Sequence, residues 1–278
     1  MRRFYFTVDV DRDVNVQVPG GSAAGSLDRG AGTAPRFSSS DRGLGIVLDI
    51  LDEAGIRGTL FFEGRTAEVL DCARAEGHRI GIHGYDHEDL TQLADGCLDD
   101  VVRASFEAVS DNVGGPTCSR APYMSADRRV LAAFERVGIR ADSSFYTDVG
   151  GPTAEYSIGT IREYPIPKAR DPGGRTIAAY LWPMHEGKRD PADYMDMAAG
   201  MDGPLVLADH SWHFVESRAQ GMMSEDRIRD NARNTLDIIQ GVLDLGYEPC
   251  VIGRRRTSCR TWTEVRGVSR PHTSPGLR

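Results

Sequence analysis

Residues 3–11 read Arg3-Phe4-Tyr5-Phe6-Thr7-Val8-Asp9-Val10-Asp11, and their alternation decides the fold. Phe4, Phe6, Val8 and Val10 fall on one face of an extended segment and Tyr5, Thr7, Asp9 and Asp11 on the other, because successive strand side chains point to opposite sides. The second face turns polar toward its C-terminal end. Outward from this strand the chain repeats strand and helix. Asp41 is a candidate N-cap for a helix carrying Leu44, Val47, Leu48 and Leu51, and Gly55 stands where that helix stops. A strand follows at Gly58-Thr59-Leu60-Phe61-Phe62, then a helix over 66–76, a strand at Arg79–Ile82, a helix over 91–112, a strand near 117–120 and a helix over 127–137 ending at Gly138. Such a βα repeat predicts an α/β fold with a parallel sheet or barrel.

Prolines 152, 165, 167, 172, 183 and 191 divide the stretch 142–200 into short strands and loops. Order returns with an apolar strand over 204–208, a helix opened by Ser224 and carrying Ile228, Ala232, Leu236, Ile239 and Leu243, and a strand over 249–252. With 278 residues and 40% apolar content, a single domain over 1–264 is expected. Residues 13–40 form a long Gly/Ala/Ser-rich connection, read either as a lid in which Arg29 or Arg36 meets an anionic group or as a solvated loop. Residues 265–278 are expected to be a disordered tail.

The formal charge is -8 and no broad basic face is indicated, which argues against nucleic acid as a partner. Lys168 and Lys188 are the chain's two lysines. Five cysteines (Cys72, Cys97, Cys118, Cys250, Cys259) without a C-x-x-C pair indicate reduced thiols rather than a disulfide framework. No leader-like apolar region opens the sequence, and no run reaches the roughly 18 apolar residues of a membrane span. A cytoplasmic protein is the resulting expectation.

Reactive side chains recur at the expected strand ends. Asp9 and Asp11 close the first strand; read alone they are equally a solvated strand end and a pair needing a cation or a shared proton. Gly81-Ile82-His83-Gly84-Tyr85-Asp86-His87-Glu88 follows a later strand with two histidines four apart, a spacing that brings both imidazoles to one ion if the chain turns helically. Alone, this could be a surface loop. Together, the two motifs supply the nitrogen and carboxylate donors of a catalytic zinc site. Further clusters stand at Ser119-Arg120-Ala121-Pro122-Tyr123, Ala141-Asp142-Ser143-Ser144-Phe145-Tyr146 and Ala208-Asp209-His210-Ser211-Trp212-His213.

In order and content these clusters resemble the polysaccharide deacetylase family, carbohydrate esterase family 4, over roughly residues 3–255. Thr59-Leu60-Phe61-Phe62 with Gly64 looks like that family's second-strand signature. The resemblance implies a distorted (β/α) barrel, commonly of seven strands, and a metal-dependent N-deacetylase acting on an N-acylated amino sugar. It carries the catalytic base to Asp9 and the metal ligands to Asp11, His83 and His87. Arg120 would orient the base, the backbone N–H at Tyr123 would help hold the oxyanion, His210 would be the acid and Asp142 the carboxylate that tunes it. Zn2+ is the expected ion, with Co2+, Ni2+ and Fe2+ compatible with the same donors.

The Asp-x-Asp form, with Gly84 after the first histidine, looks more like the family's intracellular branches. That keeps a deformylase or cyclic-amide hydrolase as the alternative activity, and a non-catalytic carbohydrate-binding protein as a further one. Tyr123, Tyr146 and Trp212 offer faces for a sugar ring or acyl methyl group, or are simply core. His213 rivals His210 as the acid. His78, His185 and His272 read as ordinary surface or satisfied histidines.

Overall fold

Every side chain from Phe4 to Val10 is buried, so the opening strand is central and covered on both faces, as parallel strands in α/β folds are. The computed structural model describes residues 2–11, 37–218 and 221–253. Its elements run β1 (Arg3–Val10), α1 (Ser38–Ala54), β2 (Thr59–Phe62), α2 (Gly64–Ala67), β3 (Arg79–Ile82), α3 (Asp95–Asn112), β4 (Cys118–Ser119), α4 (Arg128–Arg136) and β5 (Ala141–Asp142). The second half holds β6 (Tyr146–Val149), β7 (Tyr156–Ile158), β8 (Ile161–Glu163), β9 (Ile166–Arg170), β10 (Thr176–Ala178), α5 (Trp182–His185), α6 (Pro191–Ala199) and β11 (Leu205–His210). A hairpin of β12 (Glu216–Ser217) and β13 (Gly221–Met222), α7 (Glu225–Asp244) and β14 (Glu248–Pro249) complete it.

Seven parallel strands follow the order β11-β1-β2-β3-β4-β5-β8, with β7 antiparallel at the edge and β14 beside β1. The wall curls round through residues 179–181. Ala179 N–H donates to Pro167 O, Leu181 N–H to Ala208 O and Ala208 N–H to Ala179 O, so this segment stitches the start of β9 to β11. The expected distorted α/β barrel is what the chain adopts. Full burial of Phe4, Phe6, Val8 and Val10 contributes about 1.5–3 kcal/mol each to holding β1 in place.

Local differences from the sequence reading have local causes. Helix α1 starts at Ser38, so residues 38–40 belong to it and Asp41 lies in its first turn, where a carboxylate favours the positive end of the helix. The proposed lid residues 13–36, with Arg29 and Arg36, and the tail 265–278 lie outside the described residues. In place of a helix over 66–76 there are α2 and a short 3-10 turn at Ala73–Ala75, because the Thr66 hydroxyl is drawn back to the Glu63 carboxylate and Gly77 turns the chain at φ 91°. The α3 helix begins only at Asp95, after a turn at Leu90–Gln92 that the Asp89 carboxylate caps. Gly43 is required by packing: a Cβ there would lie 1.8 Å from Ser211 O, so only glycine lets α1 press against the turn after β11. Cys72, Cys97 and Cys118 are free thiols. No helix among the described residues is long and apolar enough to cross a membrane.

Candidate active site

Strand alternation places Thr7, Asp9 and Asp11 along one line of β1, with Asp9 and Asp11 at its C-terminal end, where α/β folds gather their chemistry. β3 delivers His83 beside them. The chain then bends rather than turning helically: Gly84 has φ 71° and His87 φ 56°. A Cβ at Gly84 would also lie 2.9 Å from Pro122 Cγ. This left-handed geometry, braced by Glu88 Oε2 accepting the Tyr85 and Asp86 N–H groups, swings His87 back over His83, with ring centroids 5.0 Å apart. A left-handed φ at a buried non-glycine residue such as His87 points to a functional constraint.

Asp11, His83 and His87 are all buried and offer ligand atoms within 4.8 Å of one another, with His87 Nε2 3.4 Å from Asp11 Oδ2. His83 Nδ1 lies 2.8 Å from Arg120 O and must donate to it. Its Nε2 therefore carries the lone pair, is buried, and has no hydrogen-bond partner. Burial holds this imidazole below its usual pKa and hence neutral. Two imidazoles and a carboxylate, one of them oriented from behind by a backbone carbonyl, fit a divalent transition-metal ion. Tyr123, with φ 61° in the turn Pro122–Met124, sets its ring edge against His87 at 4.7 Å.

Asp9 is held from two sides. Arg120, wholly buried over the Phe61 ring at 4.5 Å, donates Nη1 to Asp9 Oδ1 at 2.8 Å. Three further donors go to Thr7 Oγ1, Ser143 Oγ and Ser143 O, so four of the five guanidinium N–H groups are hydrogen-bonded. Tyr180 Oη lies 2.6 Å from Asp9 Oδ2 and 2.8 Å from His210 Nε2. Burial alone would raise the Asp9 pKa, but Arg120 first, then His83, His210 and the Tyr180 hydroxyl, hold it below the usual carboxylate range. An ionised Asp9 fixes the proton order: Tyr180 donates to Asp9 and accepts from His210 Nε2–H, and a neutral His210 then accepts at Nδ1 from His213 Nδ1, 3.2 Å away. Burial, then His213, keep His210 well below its ordinary pKa.

The position expected for Asp142 is taken by another residue. Asp142 does not meet His210; it accepts from Ser119 Oγ at 2.6 Å and from Ser144 Oγ and N at 2.9 and 3.1 Å. Ser119 and Arg120 are successive, so a carboxylate that bonds Ser119 points away from the face Arg120 uses, and Ser143 takes that face instead. Asp142 is paired in register with Glu163, and burial raises the pKa of both carboxyls. The neighbour of His210 Nδ1 is His213, whose Nε2 lies 3.6 Å from Glu186 Oε1.

Trp212 does not present a free face: it is buried, with His213 stacked on it at 3.5 Å. Tyr146 is half-buried under the Lys168 ammonium at 4.2 Å, and burial pushes its hydroxyl up to about 12. His185 is a buried core histidine, its Nε2 2.9 Å from Asp209 Oδ2 and its Nδ1 without a hydrogen-bond partner, and Asp209 Oδ1 in turn accepts the His210 N–H. His78 Nδ1 accepts the Gly58 N–H. Tyr180, Asp209 and Glu186 were not singled out from the sequence; the aromatic residue closing the apolar run Ala178-Ala179-Tyr180 was the available signal. A groove of about 900 Å³ lies elsewhere, against Lys168, Asp171, Met197 and Pro204, and none of the residues that gather at the β1 end lines it.

A family model described as polysaccharide deacetylase matches residues 42–141. A peptidoglycan deacetylase-like protein of Gibberella zeae is 31% identical over 203 residues, which are 66% of this chain and 56% of that protein. The chain is thus similar to the polysaccharide deacetylase family over part of its length. It spans about half the length of that fungal relative. Among solved structures, a candidate polysaccharide deacetylase from Mycobacterium smegmatis shares the fold with a TM-score of 0.56 at 21% identity, over 91% of this chain and 94% of that one. A carbohydrate esterase family 4 pseudoenzyme from Bacillus anthracis shares it with a TM-score of 0.52 at 11% identity, over 89% and 63%. The polysaccharide deacetylase fold thus comes with and without catalysis, and activity has to be argued from the side chains.

Proposed function

We propose that this chain is a metal-dependent deacetylase that hydrolyses the N-acetyl group of an amino-sugar substrate. The observation that carries the reading is the ionised Asp9, clamped between Arg120 and Tyr180, with the Asp11–His83–His87 cluster beside it and His210 Nε2 4.0 Å from its Oδ2. The relatives' names, which include chitin and peptidoglycan deacetylases, support the choice of an N-acetylated sugar. Zn2+ is the first choice of ion for this donor set.

An ion held by Asp11, His83 and His87 supplies Lewis acidity, polarising the amide carbonyl and acidifying water. Asp9, kept as the carboxylate by Arg120, accepts the proton of the attacking water. The proton that Asp9 gains would pass to His210 through Tyr180, which touches both groups, and the imidazolium so formed would protonate the departing nitrogen, returning Asp9 and His210 to their starting states. Because every one of these positions is filled, a purely sugar-binding role is disfavoured.

The test is metal content together with acetate and formate release from a panel of N-acylated amino sugars, for the wild type, His83→Ala and Asp9→Asn. About one ion per chain, lost in His83→Ala and kept in Asp9→Asn, with acetate release abolished in both, is the expected result. Formate release in place of acetate would move the assignment to a deformylase. Turnover that survived both substitutions would sink the mechanism.

A further inference from the structure

Beyond the acid pair, at the same end of the barrel, lies an aromatic ring with two cations. Trp182 opens α5 just after the stitching segment 179–181 and is half-buried. Its ring lies 6.4 Å from that of His213, which is 5.1 Å from that of His210. Over the Trp182 ring stand Lys188 Nζ, 5.1 Å from its centroid, and Arg218 Cζ at 4.7 Å. The two come from different elements, the loop after α5 and the β12–β13 hairpin, and converge on one ring.

Their charge is otherwise unspent. Surface arginines elsewhere pair with carboxylates, as in Arg42–Glu225, Arg74–Asp49, Arg129–Asp95 and Arg136–Asp99. Among the described residues no carboxylate forms an ion pair with Lys188 or Arg218. Glu186 is close, but its side chain is 3% exposed and turned inward, accepting the Arg218 N–H at 2.6 Å and facing His213. Arg218 Nε is buried without a hydrogen-bond partner. In a chain of net charge -8, two cations converging on the ring beside His213 are a local reversal of sign. Two cations gathered over one aromatic ring suit a substrate that carries a negative substituent.

We propose that Trp182, Lys188 and Arg218 form a subsite for an anionic substituent, a carboxylate or a phosphate, on the amino-sugar substrate, a proposal that rests on the deacetylase reading above. Trp182 would hold the two cations close together, and they would take the acidic group. Their positive charge already reaches the acid pair: behind burial, Arg218 and Lys188 help hold His213, and Arg218 helps hold His210, below the ordinary histidine range.

The experiment is calorimetric binding of three probes to the full chain: N-acetylglucosamine, N-acetylmuramic acid, which adds a carboxylate, and N-acetylglucosamine 6-phosphate. One acidic probe is expected to bind at least about tenfold more tightly than the neutral sugar, with the advantage shrinking as salt is raised. Lys188→Gln and Arg218→Gln should each erode that ratio, while Lys188→Arg should retain it. Equal affinity for all three probes, or a preference that survives both glutamine substitutions together, would overturn the subsite. Which acidic probe gains affinity separates carboxylate from phosphate. Acetate release is followed in parallel: binding preference without any release would overturn the deacetylase reading and still support the subsite, whereas release without preference does the reverse.

Discussion

The two halves of the site are built differently. Asp9, Asp11, His83, His87 and Arg120 come from β1, β3 and the turn after β4, each a strand end followed by a short local motif. The acid side is assembled from parts far apart in the chain: Tyr180 meets Asp9 across 171 residues, and His213 is backed by Glu186 from the loop after α5. A locally encoded half survives drift elsewhere, because each motif brings its own backbone geometry. The composite half depends on how the barrel closes. Substitutions on the two sides should therefore differ in what they damage.

The largest effect is expected at the point where the halves meet. Arg120→Leu removes the partner of Asp9 and leaves a buried carboxylate unpaired, at a cost of about 3–5 kcal/mol. Urea unfolding would measure it, and a loss below about 1 kcal/mol would show that Asp9 neutralises without its partner. Tyr180→Phe keeps the ring and removes the link between base and acid. It should lower kcat by about ten- to a hundredfold with KM little changed and metal content intact. An unchanged kcat would show that base and acid work independently.

The next substitution sharpens the comparison within the acid half. His213→Gln should lower kcat by about tenfold and move the alkaline limb of the kcat/KM profile to higher pH, because His213 is one of the groups that depress His210. Asp142→Asn, on the opposite face of its strand, should leave that limb in place. A limb that moved with Asp142 and not with His213 would restore the role that family resemblance assigned to the carboxylate.

The smallest effect concerns stability. The folded pKa of Glu163 is raised, first by burial and then by Asp142, so its contribution is fully present below the unfolded carboxylate pKa and is lost as pH rises through the folded value. Glu163→Gln should accordingly gain stability relative to wild type between weakly acid and neutral pH, by no more than about 1 kcal/mol. Thermal melts of both proteins across pH would detect it, and a gain confined to acid pH would reverse the assignment.

What the sequence made legible follows the same division. Phe4 to Asp11 declare a buried strand with carboxylates on its inner line, and His83, His87 and Arg120 follow strands short enough that their positions at the barrel end are readable. Tyr180 lies in a proline-interrupted stretch with no period, and its importance arises only from the stitching of 179–181 between β9 and β11. Asp142 was misplaced for a reason of parity: β5 is two residues long, and a one-residue change of register exchanges the faces of Asp142 and Ser143. The helical turn expected at His83–His87 failed because spacing alone does not reveal two left-handed residues.

The place of β1 between β2 and β11 has a consequence for how the chain comes into being. Thr7 Oγ1 donates to Leu207 O across 200 residues, so during synthesis the strand bearing both aspartates has one edge bare until most of the protein has emerged. That edge is the row of backbone N–H and C=O groups from Phe4 to Asp9 that β11 later pairs, and a chain ending before β11 is expected to aggregate where the full chain does not.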